Sequence, residues 1–357
     1  MLSNLLNKPV DQLLTELLIR LKIAVISDYH RASIVYVGIL LALALIYLSR
    51  MPVGSGDTDL WFHMNGGRLF WEFDELPDSK FYSFMEPGRT WVNYYWGFQA
   101  LTYLIHEHVG YPGLIAFRVA LVGVTFAAIA GILIRPGDRA SQRAWALILL
   151  VLVVMVLAGR TELIRPHLIS FMMIGLFLLI LERQRRWLPA LPLLTVLWIN
   201  LHGVEWPVGA LICGVYFIDA GWRWYQKNER RDANDRRVMV WTAACLPAML
   251  INPFGAQIVT APFSFSAEIY HYIIELQAYS LWALFSVNLS GPVISLTSAI
   301  ALLSWGNVLA YGFLLIRGSL RFAPLMLSLA GLLLMSRGTR FIWEWVLLSL
   351  PIWRLAI

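Results

Sequence analysis

The sequence has little charge and almost no cysteine. Its two cysteines, Cys213 and Cys245, each sit inside an apolar run. That usage excludes a disulfide framework or a cysteine-based metal site and reads as two buried apolar thiols. Charged residues make up only 14% of 357 residues, too few to clothe two or three soluble domains of that combined length. Between residues 238 and 316 there is no lysine or arginine at all. The net charge of +6 therefore gives no sign of a nucleic-acid surface, because the basic residues gather in short segments between apolar runs.

What fills the chain instead is apolar. Hydrophobic residues account for 59%, tryptophan occurs sixteen times, and mean hydropathy is +0.66. This composition predicts an all-α, polytopic transmembrane bundle. Spans are expected at 32–49, 113–134, 144–158, 168–181, 187–202, 204–222, 238–252, 291–316, 322–336 and 341–354, ten in all. The first begins at about Ala32 without a small-residue cleavage site and reads as a retained signal anchor. Residues 32–357 form one transmembrane domain in this reading, preceded by a cytoplasmic segment, 1–31. Within that segment Leu13, Leu14, Leu17, Leu18 and Leu21 share a helical face. Such a helix lies on the membrane surface or packs against a loop or partner protein.

Basic residues orient the bundle. With both termini in the cytoplasm, segments 1–31, 135–143, 182–186, 223–237 and 317–321 carry most of the arginines and lysines, as the positive-inside rule requires. Segments 50–112, 159–167, 203, 253–290 and 337–340 then lie outside. Into that outer set fall the groups able to do chemistry. In the first outer loop Asp57 and Asp59 precede His63, with Asp59 and His63 on one helical face. Two carboxylates and an imidazole can ligate a divalent metal or abstract a proton, whereas capping of a helix that follows Gly54-Ser55-Gly56 explains one aspartate without chemistry. The turn 160–167 offers Arg160, Glu162, Arg165, Pro166 and His167. Next come Asn200 and His202 at a tight outer turn, Asn252-Pro253-Phe254-Gly255 opening an outer loop, Glu275 further along it, and Arg337 and Arg340 before the last span. Arginine pairs at two span mouths suggest a bound anion such as a phosphate. Salt bridges to Glu162, Glu205, Glu275 or the acidic loop are the alternative use for them. Arg118 sits just inside the second span, where charge is costly.

The strings GDTDLWFHMNGGRLF and the later FYSF and WVNYYW in residues 56–96, then RPH, WINLHG, NPFG and the RGTR before the last span, are similar to those of bacterial membrane proteins of the GT-C glycosyltransferase type. The resemblance runs over most of residues 32–350. It implies a multi-pass enzyme of the bacterial inner membrane that transfers a sugar from a polyprenyl-phosphate carrier to an acceptor on the outer face. It also implies Asp59 or Asp57 as catalytic base or as ligand of magnesium or manganese. Arg160, Arg165, Arg337 and Arg340 would hold the carrier's phosphate, and His63, His167, Asn200, His202 and Glu275 would line the substrate pocket. The chain departs from that type in lacking a second outer DxD or DxE motif. A non-catalytic relative, serving as a scaffolding or binding subunit among membrane protein partners, is the competing expectation. A transporter is less favoured, because no internal inverted repeat is evident.

Overall fold

The computed structural model describes residues 35–53, 58–76, 91–226, 232–263, 273–280, 282–288 and 294–357. The amphipathic segment expected within 1–31 and the Gly54-to-Asp57 stretch lie outside the described residues. Among the described residues the regular structure is helical, with no strand. The helices are α1 (Val35–Arg50), α2 (Thr58–Phe73), α3 (Trp96–Leu133), α4 (Ala140–Thr161), α5 (His167–Glu182) and α6 (Leu191–His202). They continue with α7 (Trp206–Gln226), α8 (Ala233–Ala248), α9 (Leu296–Ile316), α10 (Phe322–Arg337), α11 (Ile342–Leu348) and α12 (Leu350–Ala356). One apolar core runs from Leu48 of α1 to Trp353 of α12.

Four stretches, Trp96–Leu133, Ala140–Thr161, Arg185–Gln226 and Leu296–Ile316, are long and apolar enough to cross a membrane by length and composition; Val35–Arg50, His167–Glu182 and Phe322–Arg337 are shorter apolar helices. These are the features of a membrane-spanning helical protein. The 22 residues of α4 reach about 33 Å at 1.5 Å each, enough for a bilayer core of about 30 Å. Sequence had assigned that span only 144–158.

One departure from the expected spans and one agreement with them matter for the site. The second apolar run is the lower limb of a longer helix, α3, that starts at Trp96 and bends at Gly110. Gly110 has φ +69°, a left-handed backbone that glycine adopts without a Cβ penalty, and Pro112 restarts the helix beyond it. The upper limb, within the expected outer loop, is the platform for α2. The agreement is the 185–226 stretch, which reverses at the turn expected at residue 203. Asn200 at the end of α6 donates to Ile251 O at 2.8 Å, while Arg223 near the end of α7 donates to Asp235 at the start of α8 at 3.0 Å. So α6 runs parallel to α8 and α7 antiparallel to both, with the turn at Gly203–Glu205 between them.

The bundle therefore has two distinct ends. At one, Arg354 pairs with buried Asp138 at 2.5 Å, Arg183 donates to Gly131 O at 3.1 Å, and Tyr216 donates to Glu182 at 2.6 Å. Arg321 lies 3.7 Å from the same Glu182. At the other end meet the start of α2, the junction of α4 and α5, the α6–α7 turn and the turn between α10 and α11.

Candidate functional site

Asp59 is on the first turn of α2, so its place depends on how α2 seats on α3. Two adjacent glycines allow a close approach. A Cβ on Gly67 would stand 2.1 Å from Gln99 O and 2.5 Å from Tyr103 Cβ, and one on Gly66 would meet the Gln99 side chain at 2.6 Å. Trp71 then donates its indole N–H to Ala100 O at 2.9 Å. One turn below Asp59, the His63 ring is buried among edge-on rings, 4.8 Å from Tyr95 and 5.3 Å from Phe98. Its Nδ1 makes no hydrogen bond. Burial, with the nearby Arg165 charge adding to it, lowers the imidazole to about 3, so His63 is neutral across the physiological range.

The second wall is the turn from α4 into α5. Pro166 precedes the helix, where its missing N–H leaves no bond unmade. Arg165 Nη1 reaches Asp59 Oδ2 at 2.9 Å. Arg160 grips Glu275 with both terminal nitrogens, at 2.6 and 2.7 Å, and its guanidinium lies 5.2 Å from the Trp343 ring centroid. The Arg160 hydrogen bond holds the Glu275 carboxyl below its usual range, against the opposing effect of burial. His167 contacts Arg160 O through Nε2 at 2.9 Å.

The third wall comes from the α6–α7 turn and the approach to α11. Gly203 N–H donates to Tyr94 O at 2.6 Å, bringing His202 against the first wall. Trp198 donates to Ser170 Oγ at 2.8 Å, and Ser170 lies 2.7 Å from His202 Nδ1. A hydroxyl already accepting from the indole is free to donate to Nδ1, which leaves the imidazole proton on Nε2. Arg340 Nη2 sits 3.6 Å from Glu205 Oε1. The Arg340 turn is tied to the Glu275 segment by Thr339, through its N–H to Gln277 O at 2.8 Å and its hydroxyl to Glu275 O at 3.1 Å.

These walls enclose a cleft of about 180 Å³, well beyond the roughly 10–15 Å³ that one water needs. Asp59, His63, Arg160, Arg165, His167, His202, Glu275 and Arg340 all line it, with Tyr94, Tyr95, Pro166 and Val204 completing the surface. Burial also raises the Tyr94 hydroxyl above its usual range. A separate crevice beside Trp198 and Gly209 offers about 10 Å³ of apolar space and has no room for such a ligand.

Three of the expected site residues stand apart. Asp57 lies outside the described residues. Asn200 is spent on structure: its amide nitrogen donates to Val196 O and Ile251 O, and its oxygen accepts from Trp96. Arg337 is exposed and does not line the cleft. Arg118, suspected as a costly intramembrane charge, is fully buried and caps the ends of α1 and α4: it donates to Leu48 O at 2.5 Å, Met51 O at 2.7 Å and Glu162 O. Conversely, Tyr94 and Tyr95 were not singled out as lining residues, although the WVNYYW string contains them. Glu344, one turn beyond Arg340, is buried, and its Oε2 has no hydrogen-bond partner.

The arrangement is a cluster of carboxylates and guanidiniums in balance. Arg160, Arg165 and Arg340 face Glu275, Asp59 and Glu205 respectively. The two uses weighed for these arginines, ion pairing and an anion site, thus occupy the same space. Among the described residues no three His, Cys, Asp or Glu side chains converge as a metal would require, and the Asp59 carboxylate faces a guanidinium. Comparison of the chain with known protein families, curated proteins and solved structures gives no match.

Proposed function

We propose that the protein is a GT-C-type membrane glycosyltransferase, taking a sugar from a polyprenyl-phosphate carrier and passing it to an acceptor hydroxyl on the outer face of the bacterial inner membrane. In this reading the chain crosses the membrane ten times with both termini in the cytoplasm. The observation that carries the proposal is the convergence of Asp59 with Arg160, Arg165 and Arg340 in one cleft, at the bundle end opposite Arg183, Arg321 and Arg354.

In the reaction Asp59 accepts the acceptor's hydroxyl proton while its oxygen attacks the anomeric carbon. The bond from that carbon to the phosphate oxygen breaks, and its electron pair leaves with the polyprenyl phosphate. Arg165 and Arg340 offset the charge that develops there, a role suited to guanidinium forks. Were magnesium or manganese bound, Asp57 and Asp59 would be the residues to hold it, and it would supply positive charge. Neutral His63 leaves Arg165 without a second cation competing for Asp59. The rings of Tyr94 and Tyr95, set edge to face at 77°, give the sugar an apolar wall with polar tips.

A non-catalytic membrane subunit is the second reading. It is favoured by the pairing of every cleft arginine with a carboxylate, which a scaffold would keep for stability alone. Asp59→Asn separates the two in a whole-cell glycan and glycoprotein profile. Loss of one glycan at normal protein level is the expected result. An unchanged profile together with loss of a partner complex overturns the enzyme.

A further inference from the structure

We infer that the Asp59–Arg165 ion pair is an exchange site, in which the phosphodiester of the incoming sugar-bearing carrier displaces Asp59 from Arg165 and thereby releases the carboxylate for the acceptor. The inference rests on the carrier-phosphate reading above and adds an order to it: the phosphate enters first.

The starting point is charge. A phosphate entering a cleft whose three guanidiniums already face three carboxylates brings excess negative charge unless one carboxylate gives way. The three pairs differ in how readily they can do so. Arg160 holds both oxygens of Glu275 and lies over the Trp343 ring, and the Glu275 carbonyl is fixed by Thr339. That pair is held by two hydrogen bonds and the ring contact, with 42% of the Glu275 side chain exposed. Glu205 is almost enclosed, with 6% of its side chain exposed, so it has nowhere to turn in water. Asp59 has 51% of its side chain exposed and stands on the first turn of α2. A half-exposed pair is weak, and a phosphate meets a guanidinium fork through more than one charge-assisted hydrogen bond. Exchange therefore falls at Arg165. The phosphate then supplies the negative charge that Arg165 loses with Asp59.

The test is binding to purified protein in detergent, with a short-chain polyprenyl monophosphate and inorganic phosphate as separate probes. Removing the resident carboxylate by Asp59→Asn should tighten the lipid monophosphate by roughly two- to fivefold, the scale of one partly exposed pair. Arg165→Gln should weaken it, and Asp59→Asn added to Arg165→Gln should then change nothing. Tightening for inorganic phosphate as well supports exchange by the phosphoryl group itself; tightening for the lipid alone supports exchange by the lipid-linked form. Equal or weaker binding by Asp59→Asn overturns the exchange but leaves the carrier reading standing. If neither wild type nor the variant binds either probe, both fail. Asp59→Ser gives the same comparison should Asp59→Asn not fold, as judged by its ligand-free melting temperature.

Discussion

Substituting Gly67 by alanine tests the seating of α2, on which the position of Asp59 depends. In a helix with open space around it, this change stabilises by roughly 0.5–1 kcal/mol, because alanine loses less backbone freedom than glycine. Here the added carbon would stand 2.1 Å from Gln99 O and 2.5 Å from Tyr103 Cβ. The first of these is backbone and cannot swing away, so α2 must lift from α3. Forced overpacking of this kind costs about 1–3 kcal/mol, which exceeds the propensity gain. Gly67→Ala should therefore melt below wild type in detergent, by a net loss of about 1–2 kcal/mol. Gly312→Ala in α9, where nothing lies within 4 Å of the new carbon, is the matched control and should be neutral or slightly stabilising. A Gly67→Ala protein that melts with or above the Gly312→Ala control would refute the close approach and the placement of Asp59 built on it.

Two further outcomes follow from buried charge. His63 titrates at about 3 when folded, below its unfolded value of about 6.5. The unfolded chain thus binds the extra proton between those values, and stability falls as pH drops from about 6.5 toward 3, by at most about 1.4 kcal/mol per pH unit, then no further. His63→Gln should flatten that part of the pH–melting profile; parallel profiles for the two proteins would contradict the buried neutral imidazole. At the opposite end of the bundle, Arg354→Met leaves Asp138 buried without its charge partner and should cost about 3–5 kcal/mol, with Asp138→Asn in the same chain restoring part of it. A fully stable single variant, measured by melting and by yield of monodisperse protein, would show that the pair is not formed.

Much of the site was legible because basic residues orient apolar spans before any motif is considered. The strings around Asp59, Arg165, His202, Glu275 and Arg340 were expected on one face, and they do meet in one cleft. The misses have separate physical causes. Asn200 and Arg337 occupy the right turns, but a turn does not say which side chain it spends on its own backbone or turns toward the surroundings. The start of α3 was hidden because His106, Glu107 and His108 interrupt its apolar pattern, while the Gly110 and Pro112 signals read as the end of a loop rather than a bend. Glu205 was named only as a salt-bridge partner, and Glu344 was not marked as a buried acid. One carboxylate in an apolar string carries no periodic signal of what it will pack against.

Arg118 has a consequence for biogenesis. Its guanidinium ties carbonyls from the end of α1, from Met51 and from Glu162, while Arg160 closes on a carboxylate 115 residues further along the chain. Helices can enter the membrane one after another, but contacts of such sequence separation form late. A nascent chain halted before the α10–α11 turn would have most of its spans and still lack the Arg340 wall. Quality control in the membrane would thus meet a partly built cleft, with Glu205 still lacking its Arg340 partner.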